Sequence, residues 1–229
     1  MSLKSKRRAI LLDSEIQDLY GAPKLAFEQK RYYFSLNDPE LDALRSIRDR
    51  YNRVYFILLL GYFKVKPVVL NIRYSDVRDD LLFIAGEFFP DMKLGRKNLS
   101  PMQKVRIYRR IFQLLDYQSF DEDSEAALSR HAAASAAASI ESRFLFDESI
   151  DYLAKQRIAI PKYTVLQRVV SRAIASERQR LADILSHSMS QSLGESVDAI
   201  LDDETATTLN TVRQSARNFS LSELEKELS

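Results

Sequence analysis

The chain is 229 residues long and 45% hydrophobic, with five glycines, six prolines and no cysteine. That length and apolar share supply buried surface for one or two domains and exclude a disordered chain. The absent cysteine removes disulfides, thiolate metal sites and cysteine nucleophiles together, and scarce Gly and Pro favour helices over a turn-rich β fold.

The net charge of +2 conceals an asymmetry: residues 1–115 carry 22 Lys and Arg against 13 Asp and Glu (22 − 13 = +9), and residues 116–229 carry 12 against 19 (12 − 19 = −7). A basic half joined to an acidic half points to a polyanion partner for the first. A solvated basic face gives the same count, so charge alone leaves both readings open.

The basic start MSLKSKRR has no apolar core of a signal peptide and reads as an arm. A short amphipathic helix is expected over 10–20, stopped by Gly21 and Pro23, and a short turn over 27–33. Asn37 or Asp38 with Pro39 predicts the start of one long helix through Arg45, Arg48, Arg50 and Arg53 into VYFILLLGYF (54–63). That apolar run is the expected core, and it falls well short of the ~20 residues needed to span a membrane. Ser75 or Asp76 is the expected cap of a helix burying Leu81, Leu82, Ile84, Ala85, Phe88 and Phe89, which Pro90 ends.

From 92 to 115 there is no acid, while Lys93, Arg96, Lys97, Lys104, Arg106, Arg109 and Arg110 supply seven positive charges. Ser100-Pro101 predicts a helix start there, with Val105, Ile107, Tyr108, Ile111, Phe112, Leu114 and Leu115 inward and a basic outside. Like charges four residues apart repel, so a face of one sign suggests phosphate as its counterpart. The acids Asp121, Glu122, Asp123 and Glu125 read as a connector between two domains. The alanine-rich 127–144 reads as a packed helix, and Asp147 as the cap of the next, with Ile150, Leu153 and Ala154 inward. Residues 157–162 turn, and a helix starting near Tyr163 carries Leu166, Val169, Val170, Ile174, Leu181, Ile184 and Leu185 inward. Helix, short connection and second helix with polar residues at its start fit a helix-turn-helix, an order that helical hairpins without DNA share. SMSQSLGES reads as a linker, and 205–229 as the start of further helices, so the chain reads as a fragment.

No chemistry is apparent. His131 and His187 lack ligand spacing, and there is no Gly-rich phosphate loop or nucleophile motif, so neither metal, cofactor nor active site is expected.

The order YYFSLNDPELDALRSIRDRYNRVYFILLLGYFKV, DDLLFIAGEFF, VRIYRRIFQLLDYQSF and AKQRIAIPKYTVLQRVV resembles the N-terminal region of Tn-three-type replicative transposases over about residues 10–185. The specific elements are the aromatic start before the proline helix, Asn52-Arg53, the Tyr117/Phe120 corner and the string from Arg157 to Val169. Two departures stand out: Ile107 replaces a histidine and Asp116 a glycine of the family's corner, and the turn FKVKPVV lacks the family's glycine.

The resemblance implies tandem helical domains that bind the terminal inverted repeats of a transposon, with the catalytic acids in a later, RNase-H-like part. The expected fold is all-α: two tandem helix-turn-helix-like bundles, residues 1–120 and 121–188, then a linker and partly ordered helical tail, 189–229. The expected partner is double-stranded DNA in the bacterial cytoplasm, with self-association through a missing downstream region and no membrane partner. Phosphate contacts are expected from Arg96, Lys97, Lys104, Arg106, Arg109 and Arg110. In the second module Lys162, Tyr163, Thr164, Gln167, Arg168 and Arg172 are expected to touch DNA, with Gln167 and Arg168 reading bases. The rival reading is a helical scaffold whose basic patch meets an acidic protein; a small-molecule enzyme stands third.

Overall fold

The computed structural model describes residues 9–188, which carry helices and isolated bridges but no extended strand. The fold is all-α. The arm at 1–8 and the expected linker and tail at 189–229 lie outside the described residues.

Local signals set most helix starts. Helix α1 (Asp13–Tyr20) stops at Gly21, and α2 (Phe27–Tyr33) follows. Helix α3 (Asp38–Arg45) opens on Asn37, whose side chain accepts from Glu40 N–H at 3.0 Å while Glu40 accepts from Asn37 N–H at 3.0 Å. This reciprocal box satisfies two otherwise unpaired helix donors. The helix does not continue as expected. It breaks at 46–49, and α4 (Arg50–Val65) starts afresh with Asp49 accepting from Tyr51 N–H at 3.1 Å. Arg53 closes the corner, donating to the Ile47 carbonyl at 2.6 Å.

Every residue from Val54 to Phe63 is buried, so α4 is the central post. Against it pack α2, α3, α5 (Tyr74–Phe88) and α6 (Pro101–Leu115). Helix α5 begins one residue before the expected cap: Asp76 accepts from Arg73 N–H at 3.1 Å. Leu82, expected inside, is exposed. Gly61 is where α4 meets Phe34 most closely; a Cβ there would run into the Phe34 ring and lie 2.9 Å from the Tyr33 carbonyl. Two ion pairs line the buried side of α4. Lys30 meets Asp80 at 2.6 Å, with the Tyr62 hydroxyl donating to the same carboxylate, and Lys64 meets Glu40 at 2.9 Å.

The acids expected to form a domain connector instead begin a helix. Asp121 caps α7 (Glu122–Ala136) by accepting from Ser124 N–H at 2.9 Å. The small side chains Ala132 and Ala136 let α8 (Ser142–Lys155) approach α7 closely. Helix α8 begins five residues before Asp147, which pairs with Arg143 from within the helix, and Ala154 faces solvent. Helix α9 (Tyr163–Ser188) buries Leu166, Val169, Val170 and Ala173.

The stretch joining α8 to α9 is a stitch rather than a plain turn. Ile158, Ala159 and Ile160 are buried and bridge to Gln118 and Val68. Ala159 N–H donates to the Gln118 carbonyl at 2.9 Å and Ile160 N–H to the Pro67 carbonyl at 2.8 Å. The described residues up to Glu177 consequently form one compact unit with a single core running from Leu11 to Ala173, and the break expected at 120/121 is absent from the packing. Residues 178–188 belong to a second unit, where Leu181, Ile184 and Leu185 are exposed rather than inward.

Candidate nucleic-acid interface

Helix α6 presents the acid-free segment. Ser100 caps it, accepting from Gln103 N–H at 3.3 Å, and Gln103 returns the bond to Ser100 N–H at 2.9 Å. Ile107, Tyr108 and Ile111 face the core, and the Tyr108 hydroxyl accepts from Leu70 N–H at 2.9 Å. Val105, expected inside, is 55% exposed, and Met102 beside it 62%. The helix ends at Asp116 in the left-handed conformation, φ 53°, the position where the resembled family carries glycine. Arg157 covers that end, donating to the Leu115 and Asp116 carbonyls at 2.5 and 2.9 Å and lying 5.2 Å from the Tyr117 ring centre. A cation at the negative end of a helix is favourable.

The expected contact residues of the first set divide into two groups. Arg96, Arg106 and Arg109 are exposed, and so is Lys97. The loop carrying Arg96 and Lys97 is pinned to α4: Tyr51 accepts from Lys97 N–H at 2.9 Å, Tyr55 donates to the Lys97 carbonyl at 2.9 Å, and the Lys97 ammonium stands 5.8 Å from the Tyr51 ring centre. Arg110 turns inward, donating to the Ala43 carbonyl at 3.4 Å and to the Ser46 hydroxyl. It braces the end of α3 against α6. Beside it a groove is lined by Arg48, Asn52, Gln103 and Arg106, with Asp49 engaged as the cap of α4. Arg48 belongs with this group; its place in a helix break, rather than a regular helix, hid it from the sequence reading.

Lys104 donates to the Asn71 side chain at 2.9 Å, and burial together with the nearby Lys162 ammonium holds its pKa below the ordinary lysine value. Lys162 immediately precedes α9 and Lys104 lies in the first turn of α6. Lys162 of the second expected set is thus near enough to Lys104 of the first for its charge to act on it, across 58 residues of sequence (162 − 104).

The second set also divides. Lys162, Thr164 and Arg172 are exposed, and Gln167 is half-buried. Tyr163 is structural: its hydroxyl accepts from Ile10 and Leu11 N–H at 2.9 and 3.3 Å, and its ring packs on Tyr20 and Phe146. Arg168 holds both carboxylate oxygens of Glu125 at 2.7 Å. Reading a base with Arg168 requires breaking that pair.

No group of three or more His, Asp or Glu side chains arranged to hold a metal ion occurs among the described residues. His131 stacks on Tyr152 at 4.5 Å, which accounts for its position. No described helix is long and apolar enough to cross a membrane.

The chain resembles the transposase for transposon Tn501 from Pseudomonas aeruginosa, with 24% identity over 199 residues. That alignment covers 85% of this chain and 20% of the relative, so the chain spans about a fifth of the relative's length. Residues 10–173, from the segment that holds Tyr163 to the buried turn of α9, match the family described as Domain of unknown function (DUF4158), and the chain belongs to that family.

Proposed function

We propose that this chain binds double-stranded DNA at the terminal inverted repeats of a transposon, as the N-terminal part of a bacterial transposase whose strand-cleaving chemistry resides in another region. The observation that carries the reading is the acid-free segment 92–115, whose Arg96, Lys97, Arg106 and Arg109 are all solvent-exposed. These four lie on α6 and the loop before it, while Lys162 and Arg172 add exposed positive charge, and Thr164 an exposed hydroxyl, at α9. Burial, and after it the nearby Lys162 charge, disfavours the protonated form of Lys104, and a phosphate beside it would favour that form. The relationship to a transposase supports DNA as the polyanion. The two sets act as two contact areas on one body, reading a site long enough to engage both. Cytoplasmic, nucleoid-associated localisation and self-association through a further region belong to the same proposal.

The test is selection of duplexes from a randomised pool, then measurement of affinity for the enriched duplex and a shuffled one across a salt series. A specific reader keeps an excess for the enriched duplex as overall affinity falls with salt. Lys104→Gln with Lys162→Gln should lower the magnitude of the log K against log salt slope by about 1–2. Affinity for DNA that is insensitive to salt, with no duplex enriched, removes this function and favours a protein partner for the basic surface.

A further inference from the structure

Helix α6 turns about 100° per residue, which places Met102, Val105, Arg106, Arg109 and Gln113 along one stripe opposite the buried Ile107, Tyr108 and Ile111. All five stripe residues are solvent-exposed. The pattern is not that of a solvated helix face. Its N-terminal half exposes two large apolar side chains, Met102 at 62% and Val105 at 55%, beside a guanidinium, in a chain that buries ten consecutive residues of α4. No acid lies between residues 92 and 115, so a negatively charged partner meets no repulsion from α6.

Resting on the DNA-binding reading, we infer that α6 enters the major groove and reads bases with Met102, Val105 and Arg106. A helix with its side chains is about 10–12 Å across, matching a groove about 12 Å wide. The groove presents the two chemistries this stripe needs: the thymine methyl, an apolar contact, and the guanine O6/N7 edge, which takes a forked guanidinium. The N-terminal turns of a groove-bound helix reach the base edges, and later turns rise toward the backbone. Met102, Val105 and Arg106 accordingly read bases, and Arg109, one turn on, contacts phosphate. Arg110 is braced against α3 and fixes the roll of the helix, so the stripe meets the groove in one orientation. Sequence preference thus moves to α6 from Gln167 and Arg168.

The experiment uses the full chain and the duplex enriched from the randomised pool. Replacing thymines one at a time by deoxyuridine removes only the methyl. At one or two positions this should lower wild-type affinity about three- to tenfold, and it should have no effect on Val105→Ser or Met102→Gln. Arg106→Gln should relax preference at one guanine by roughly five- to a hundredfold, whereas Arg109→Gln should weaken every duplex alike. Circular dichroism confirms folding of each variant. Wild-type preference retained by the Met102, Val105 and Arg106 variants, with salt-dependent binding intact, overturns the base-reading role and leaves DNA binding standing. Loss of all DNA binding by the wild type overturns both. Variants that change only self-association, measured by light scattering, overturn the role by making the stripe a protein contact.

Discussion

Arg168 and Glu125 offer a decisive perturbation, since the same side chain has been given two incompatible tasks. One guanidinium nitrogen meets both carboxylate oxygens at 2.7 Å, with side chains only 36% and 29% exposed. The Arg168 Nε is buried without a hydrogen-bond partner, so the group has already given up part of its hydration. Glu125→Ala leaves that cation without its carboxylate and should cost about 1–2 kcal/mol, above the range for a fully exposed pair. Arg168→Ala should cost about 0.5–1 kcal/mol, because Glu125 remains in the first turn of α7, where the helix favours a negative charge. Urea melts of both single variants and the double variant should give a coupling of about 1 kcal/mol. DNA binding supplies the second readout. Arg168→Ala should keep the wild-type base preference, and Glu125→Gln, which releases Arg168, should raise affinity for shuffled duplex a few-fold through one added positive charge. Coupling below about 0.3 kcal/mol, together with lost preference at one base pair in Arg168→Ala, would refute the structural role and restore Arg168 as a reader.

Two further outcomes follow from the packing. Gly61→Ala should destabilise by about 1–3 kcal/mol in urea melts despite the better helix propensity of alanine, since the new methyl meets the Phe34 ring and the Tyr33 carbonyl. At alkaline pH, burial raises the pKa of Tyr20, Tyr55, Tyr62 and Tyr108, Tyr62 further through Asp80, so the folded chain retains protons that the unfolded chain loses. Stability should therefore be intact below the ordinary tyrosine value of 10.0 and fall as pH rises above it. Lys66 and Lys104 act in the opposite sense with smaller displacements. An alkaline loss of stability that is unchanged when Tyr20, Tyr55, Tyr62 and Tyr108 are each replaced by Phe would remove this linkage.

What could be read in advance was local. Asn37-Asp38-Pro39 and Ser100-Pro101 carry their helix starts in three residues or fewer, and the unbroken apolar run of α4 can only be central. The break at 46–49 was illegible because Arg45, Ser46, Ile47 and Arg48 are all acceptable in a helix, and its cause is the competing cap at Asp49. Apolar character alone places Val105 with the core, yet it stands opposite the buried Ile107 and Ile111 side of α6. Within the candidate site, charge identified Arg96, Lys97, Arg106, Arg109 and Lys162 as exposed cations. It could not separate them from Arg110 and Arg168, whose partners lie 64 and 43 residues away. The acids at 121–125 looked like a boundary because composition records where charge is, and not that Ser124 would be buried beneath it.

On the proposed DNA-binding reading, the stitch formed by Ile158, Ala159 and Ile160 governs how the basic surface would meet the duplex. It holds the chain two residues before Lys162 to the segment after α4 and the corner after α6. The starts of α6 and α9 are thus registered to each other before any DNA arrives. Two contact areas joined by a pliant linker must each lose orientational freedom on docking, whereas these two lose it once, during folding. On that same reading, the spacing between the DNA positions they would touch is consequently a fixed dimension. Inserting or deleting a single base pair between those positions, which rotates one contact about the duplex axis relative to the other, should be punished as severely as changing a base that is read directly.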